Sequence, residues 1–170
     1  MTNQNNTSKR CKVPFQVRAL LRQDNLGQDL PVGATVDGGA ILRILDCTYW
    51  AGVEAKLGLL AKLNIICQMA NGHCEKSAGR GMAQLGVAGL WLPIQFEVLE
   101  SQGAFEILLR KTWLHNSGAV QIFDRDRLTI LGPQGLIKLQ NKHPLLDRPA
   151  SPEADAKPSI EPTLQANGIP

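Results

Sequence analysis

Aromatic residues are scarce. They make up 5% of the 170 residues, with three Trp, one Tyr and four Phe, so a core must be built chiefly from aliphatic side chains. No run of 18 apolar residues occurs, which excludes a membrane-spanning helix of ordinary length. The first 12 residues, MTNQNNTSKRCK, are polar, so no secretory signal is expected. The four cysteines, Cys11, Cys47, Cys67 and Cys74, include no CxxC pair, which excludes a zinc ribbon and a thioredoxin-type motif. Thiols of this kind are expected to stay reduced, in the cytoplasm. GxSxG, HExxH and GxxxxGK[ST] are all missing. No catalytic residue, cofactor or metal set is read from the chain.

Hydrophobic residues make 44% and charged residues 19%, with a net charge of +3. Such a composition belongs to a globular domain, not to a collagen, a coiled coil or a wholly disordered chain. The charge is uneven: 1–12 carries Lys9, Arg10 and Lys12, while the tail is acidic through Asp147, Glu153, Asp155 and Glu161. Six of the ten prolines fall at 144, 149, 152, 158, 162 and 170. Proline removes an amide donor and blocks helix and ladder alike. The expected organisation is a disordered head 1–12, one globular domain 13–142, and a Pro-rich disordered tail 143–170.

Within 13–142, Phe15, Val17 and Ala19 alternate as in a strand. Residues 25–39 contain Gly27, Pro31, Gly33, Gly38 and Gly39 and read as a loop. Residues 40–46 read as a strand. The apolar spacing over 51–69 predicts one long buried helix, stopped at Asn71-Gly72. Five glycines over 72–89 predict a long loop. Period-2 alternation returns at Ile94, Phe96 and Val98, and predicts further strands over 104–114, 119–123, 128–131 and 136–139. The expected fold class is α+β: an antiparallel β meander packed on one main buried helix.

Two patches are candidate binding residues. Lys76, Ser77 and Arg80 stand among glycines, where exposed amides could cradle an anion. Arg110, Lys111 and Trp113 combine an adjacent basic pair with an aromatic, as in a stacking surface for single-stranded nucleic acid. With no catalytic constellation, the expected function is a non-catalytic binding or assembly module. It would act through a protein partner or self-association, with nucleic acid as a further partner class.

An alternative is carried by residues 82–103 (MAQLGVAGLWLPIQFEVLESQG) and 127–139 (RLTILGPQGLIKL). Together they resemble a winged helix-turn-helix regulator. The resemblance implies a DNA-binding transcriptional regulator with Gly86 at the turn, 90–100 as the recognition helix and the later strands as the wing. It requires 90–100 to be helical; a strand at 93–100 removes it.

Overall fold

The computed structural model describes residues 14–25, 27–68 and 72–142. The expected head and tail lie outside these residues.

The first strand, β1 (Phe15–Arg22), turns back antiparallel on β2 (Leu30–Val36), with Phe15 opposite Val36 and Leu21 opposite Leu30. A loop leads to β3 (Ile44–Asp46) and helix α1 (Cys47–Leu57). A small hairpin follows, β4 (Ile66–Gln68) with β5 (Cys74–Lys76). Next comes a long hairpin, β6 (Gly79–Val87) with β7 (Leu90–Leu99). Then come β8 (Ile107–Leu109), helix α2 (Lys111–Asn116), β9 (Val120–Ile122), β10 (Arg127–Gly132) and β11 (Gly135–Gln140).

Six strands close a barrel in the order β1-β2-β8-β3-β7-β6, and β11-β10-β9 form a separate sheet. The barrel is not a meander. Strand β8 arrives late in the chain yet lies between β2 and β3, parallel to the first and antiparallel to the second. Strands β3 and β7 also run parallel.

The inward faces alternate as a pleated sheet demands. Phe15, Val17, Ala19 and Leu21 of β1 meet Leu30, Val32, Ala34 and Val36 of β2 in one buried cluster. Leu85, Ile94, Phe96, Val98, Ile107 and Leu109 complete it from the other barrel strands. Leu128 and Ile130 of β10 extend the same cluster, so the outer sheet packs on the barrel. Asn141 ties the end of β11 to the start of β1. Its Oδ1 accepts from the Gln16 N–H at 3.0 Å and its Nδ2 donates to the Pro14 carbonyl at 3.3 Å.

The expected fold class is overturned. Among the described residues no long helix organises the core: α1 ends at Leu57, and only Trp50 and Leu57 of it are buried. Gly58, at φ 90, stops it, and Leu59 beyond is fully exposed (100%). Apolar spacing beyond 58 mimicked further helical turns, but residues 58–68 run into an isolated bridge from Ala61 to Arg80 and then into β4. The glycine-rich stretch 72–89 is also mostly strand. In β6, Gly81 stands opposite Phe96 and Gly86 opposite Trp91. A Cβ on Gly81 would come within 2.4 Å of the Phe96 ring. The glycines make room for cross-strand aromatics, and the rings supply the packing that the glycines lack. The strand read over 104–114 breaks at Arg110, after which the chain turns into α2.

Helix α1 begins on Asp46. Its Oδ2 accepts from the N–H groups of Thr48 (3.0 Å) and Tyr49 (3.2 Å), as an N-cap should. Its Oδ1 accepts from the Ser101 N–H at 2.9 Å. Burial alone would raise this carboxyl, but the hydrogen bonds from Ser101, Tyr49 and Thr48 outweigh burial and hold it below the ordinary carboxylate range.

Two stability predictions follow from these contacts. Gly81→Ala drives a methyl into Phe96 and should cost about 1–3 kcal/mol of overpacking, read as a lower urea midpoint. An unchanged midpoint would mean the ring is not seated there. Asp46→Ala should cost about 1–2 kcal/mol at neutral pH. Because the folded pKa lies below the unfolded one, the wild-type advantage is present above the ordinary carboxylate range and vanishes as pH falls through the lowered folded value. A mutant penalty that persists in strong acid would contradict that assignment.

Candidate functional site

Strand β2 delivers one acid to the surface. Its apolar alternation ends at Val36, and Asp37 follows, exposed. The backbone of Asp37 is fixed by a hydrogen bond from its N–H to the Leu109 carbonyl at 2.9 Å, at the end of β8. Its carboxylate is oriented by the Gly39 N–H, which donates to Oδ1 at 2.8 Å. A Cβ on Gly39 would stand 3.3 Å from that same oxygen, so glycine lets the amide and the carboxylate meet closely. The Ala40 N–H returns to the Asp37 carbonyl at 3.3 Å and closes a tight turn. The outcome is a rigidly presented carboxylate with one oxygen held by an amide. Such a group can accept or deliver a proton at a defined position.

The surroundings are built from three elements. The start of α2 braces the loop: Arg110 donates from Nη1 to the Ile41 carbonyl. Ile41 itself is 82% exposed. Downstream, Leu42 and Ile44 join an apolar cluster with Leu99, Leu108 and Phe105. Hairpin β4–β5 closes on that cluster through Ile65 and buried Cys67. Burial, and then the nearby Glu97 carboxylate, push the Cys67 thiol up, so it packs as a neutral apolar group. The loop that begins at Asp37 thus runs through Leu42 and Ile44 into an apolar cluster on which the hairpin is docked.

The residues picked out from sequence separate into two places. Lys76 is exposed at the end of β5, while Ser77 is buried. The Ser77 hydroxyl donates to Glu97 Oε2 at 2.9 Å, and Arg80 donates from Nε to Glu97 Oε1. The structure therefore brings Ser77 and Arg80 together, on an internal carboxylate. Arg110 and exposed Lys111 begin α2 next to the Asp37 loop. Trp113 points inward at 2% exposure, so its ring offers no stacking surface to solvent. Asp37 lay inside the segment read as loop 25–39. The signal that marks it is an acid followed by two glycines, directly after the alternating run Leu30, Val32, Ala34, Val36.

Among the described residues, Asp46, Cys47 and Glu100 form a trio close enough for a shared ion. Their groups are already engaged. The oxygens of Asp46 serve the α1 cap and Ser101, and the Cys47 thiol donates to Glu100 Oε2 at 2.8 Å. That hydrogen bond to Glu100 raises the Cys47 thiol, which keeps its proton rather than serving as a thiolate ligand.

No family model matches this chain, and no curated protein matches it. Solved structures do. The chain is similar to the retroviral protease-like domain of Ddi1 from Leishmania major, at 22% identity and a TM-score of 0.51, over 76% of this chain and 92% of that one. It is also similar to EIAV protease complexed with the inhibitor HBY-793, at 13% identity and a TM-score of 0.50, over 67% of this chain and 97% of that one. These likenesses correct the functional expectations as well as the fold. A regulator needs a helix over 90–100, and Leu90–Leu99 is strand β7, paired along its length with β6 and at its end with β3. The expectation of a non-catalytic assembly module, drawn from the lack of a catalytic constellation, is overturned by the likeness to protease-like structures. No helix among the described residues is long and apolar enough to cross a membrane. The fold is that of a retroviral protease-like barrel.

Proposed function

We propose that this chain is an aspartic-type peptidase, with Asp37 as its reacting acid, and that it works as a homodimer. The observation that carries the reading is the Asp37 turn: an exposed carboxylate at the end of β2, aimed by the Gly39 amide, in a protease-like barrel.

Peptide hydrolysis by carboxylates needs two of them side by side, sharing one proton, because two like charges in contact cannot both ionise. The ionised carboxylate takes a proton from water as the water oxygen bonds to the carbonyl carbon. The protonated one donates to the carbonyl oxygen. Collapse of the tetrahedral intermediate then breaks the C–N bond, and the departing nitrogen receives a proton. Among the described residues, Asp37 enters no ion pair, and its carboxylate accepts from the Gly39 amide. A second copy, related by a two-fold axis, brings its own Asp37 to the first.

Exposed apolar side chains support that association. Ile41 stands beside the acid, and Val120, Phe123, Leu131 and Leu136 are exposed on or beside the β9–β10–β11 sheet. Strand β9 is an edge of that sheet, with backbone groups available for pairing. In this reading Arg110 and Lys111 belong to the support of the Asp37 loop, and the apolar cluster of Leu42, Ile44 and Leu108 forms a wall for substrate. A reducing, cytoplasmic setting is part of the reading, supported by Cys47, Cys67 and Cys74 being free thiols.

Asp37→Asn should lower cleavage of a denatured protein substrate by about 100-fold or more while leaving the thermal midpoint unchanged. Sedimentation of the wild type should show a concentration-dependent dimer. Cleavage retained by Asp37→Asn would remove the proposed acid, and a monomer at every concentration would remove the shared site.

A further inference from the structure

We propose that Glu97 is a positioning residue, which fixes hairpin β4–β5 against the wall of the Asp37 site. This rests on the peptidase reading only for what the hairpin borders; the bracket itself is independent of it.

Alternation along β7 places Pro93, Gln95, Glu97 and Leu99 on its outward face. Pro93 and Gln95 are exposed there, as expected. Glu97 and Leu99 are not: Glu97 is 3% exposed. What covers this end of the outer face is the root of the hairpin. Cys67 packs with Leu99 and Ile44, and Ser77 lies against Glu97.

A carboxylate buried on a strand is costly unless paired and hydrogen-bonded. Glu97 is both. Its Oε1 accepts from Arg80 Nε and its Oε2 from the Ser77 hydroxyl. Ser77 Oγ in turn accepts from the Gly79 N–H at 3.1 Å.

The two partners are the points where both legs of the hairpin are tied down. The Ser77 N–H donates to the Ile65 carbonyl at 2.9 Å, which joins the outgoing leg to the incoming one. Arg80 exchanges backbone hydrogen bonds with Ala61, at 2.8 and 2.9 Å, and so holds the segment that leads into β4. One carboxylate therefore gathers 61–65 and 77–80 and sets where the hairpin leaves the barrel. A hydrophobic residue of similar size could fill the volume. It could not hold Ser77 and Arg80 in fixed relation, so the geometry points to positioning rather than to simple packing.

The test compares Glu97→Leu and Glu97→Gln with wild type by amide hydrogen exchange. In Glu97→Leu, exchange at 66–68 and 74–76 should quicken about tenfold or more, while Leu21, Leu128 and Ile130 in the core stay protected. Glu97→Gln, which keeps an acceptor for Ser77, should recover part of that protection and serves if the leucine variant fails to fold. In cleavage assays Glu97→Leu should raise KM about tenfold and leave kcat within about threefold. Uniform loss of protection across the barrel, or unchanged exchange in the hairpin, would overturn the proposal. Faster hairpin exchange in a chain that cleaves nothing would uphold the bracket and reject the peptidase reading.

Discussion

Three residues, Ile107–Leu109, hold the molecule in its present arrangement by entering the sheet between β2 and β3. At one end of this insert the Leu109 carbonyl takes the Asp37 N–H at 2.9 Å. At the other the Glu106 carbonyl takes the Asp46 N–H at 2.8 Å. One short strand thus fixes the start of the acid-bearing turn and the cap of α1 together. It runs parallel to one neighbour and antiparallel to the other, and its partners lie 62 to 73 residues earlier in the chain. Contacts of such separation form only after much of the chain is ordered, which makes the site a product of the completed barrel.

Part of this was legible from the residues. The alternation of Phe15, Val17 and Ala19 is β1, and that of Ile94, Phe96 and Val98 lies in β7. The turn at Gly132–Gly135 joins β10 to β11. Two failures turned on cross-strand partners that the spacing along one segment does not show. Glycines at 81 and 86 spoke for a loop until Phe96 and Trp91 were seen across the pair. Leu60, Leu63 and Ile66 kept a helical spacing, yet Gly58 and the Ala61–Arg80 bridge turned that stretch into extended chain. Asp37 was hidden for a different reason. An acid before Gly-Gly is ordinary turn chemistry, and only its place beside Leu109 and α2 sets it apart.

The buried polar groups follow one logic. Asp46, Glu97 and Asn141 are all nearly inaccessible, and each joins segments far apart in sequence. Asp46 joins the α1 cap to Ser101, Glu97 joins β7 to both legs of the small hairpin, and Asn141 joins the end of β11 to the start of β1. Each interaction stabilises little in net terms, but leaving any one of these groups unpaired would cost a full desolvation penalty. They select the register and position of loops around an aliphatic core that could otherwise tolerate shifts. Exposed Asp37 is the contrast, an acid that the fold holds still and leaves facing outward.

The central claim is that catalysis needs one Asp37 from each of two copies. It is tested most directly by joining two copies in a single chain and changing Asp37 to Asn in only one half. The account predicts cleavage by the doubly intact tandem and none by the singly changed one, with both sedimenting as the same compact particle. Half the intact activity in the singly changed tandem would show that each copy acts alone, and would contradict it.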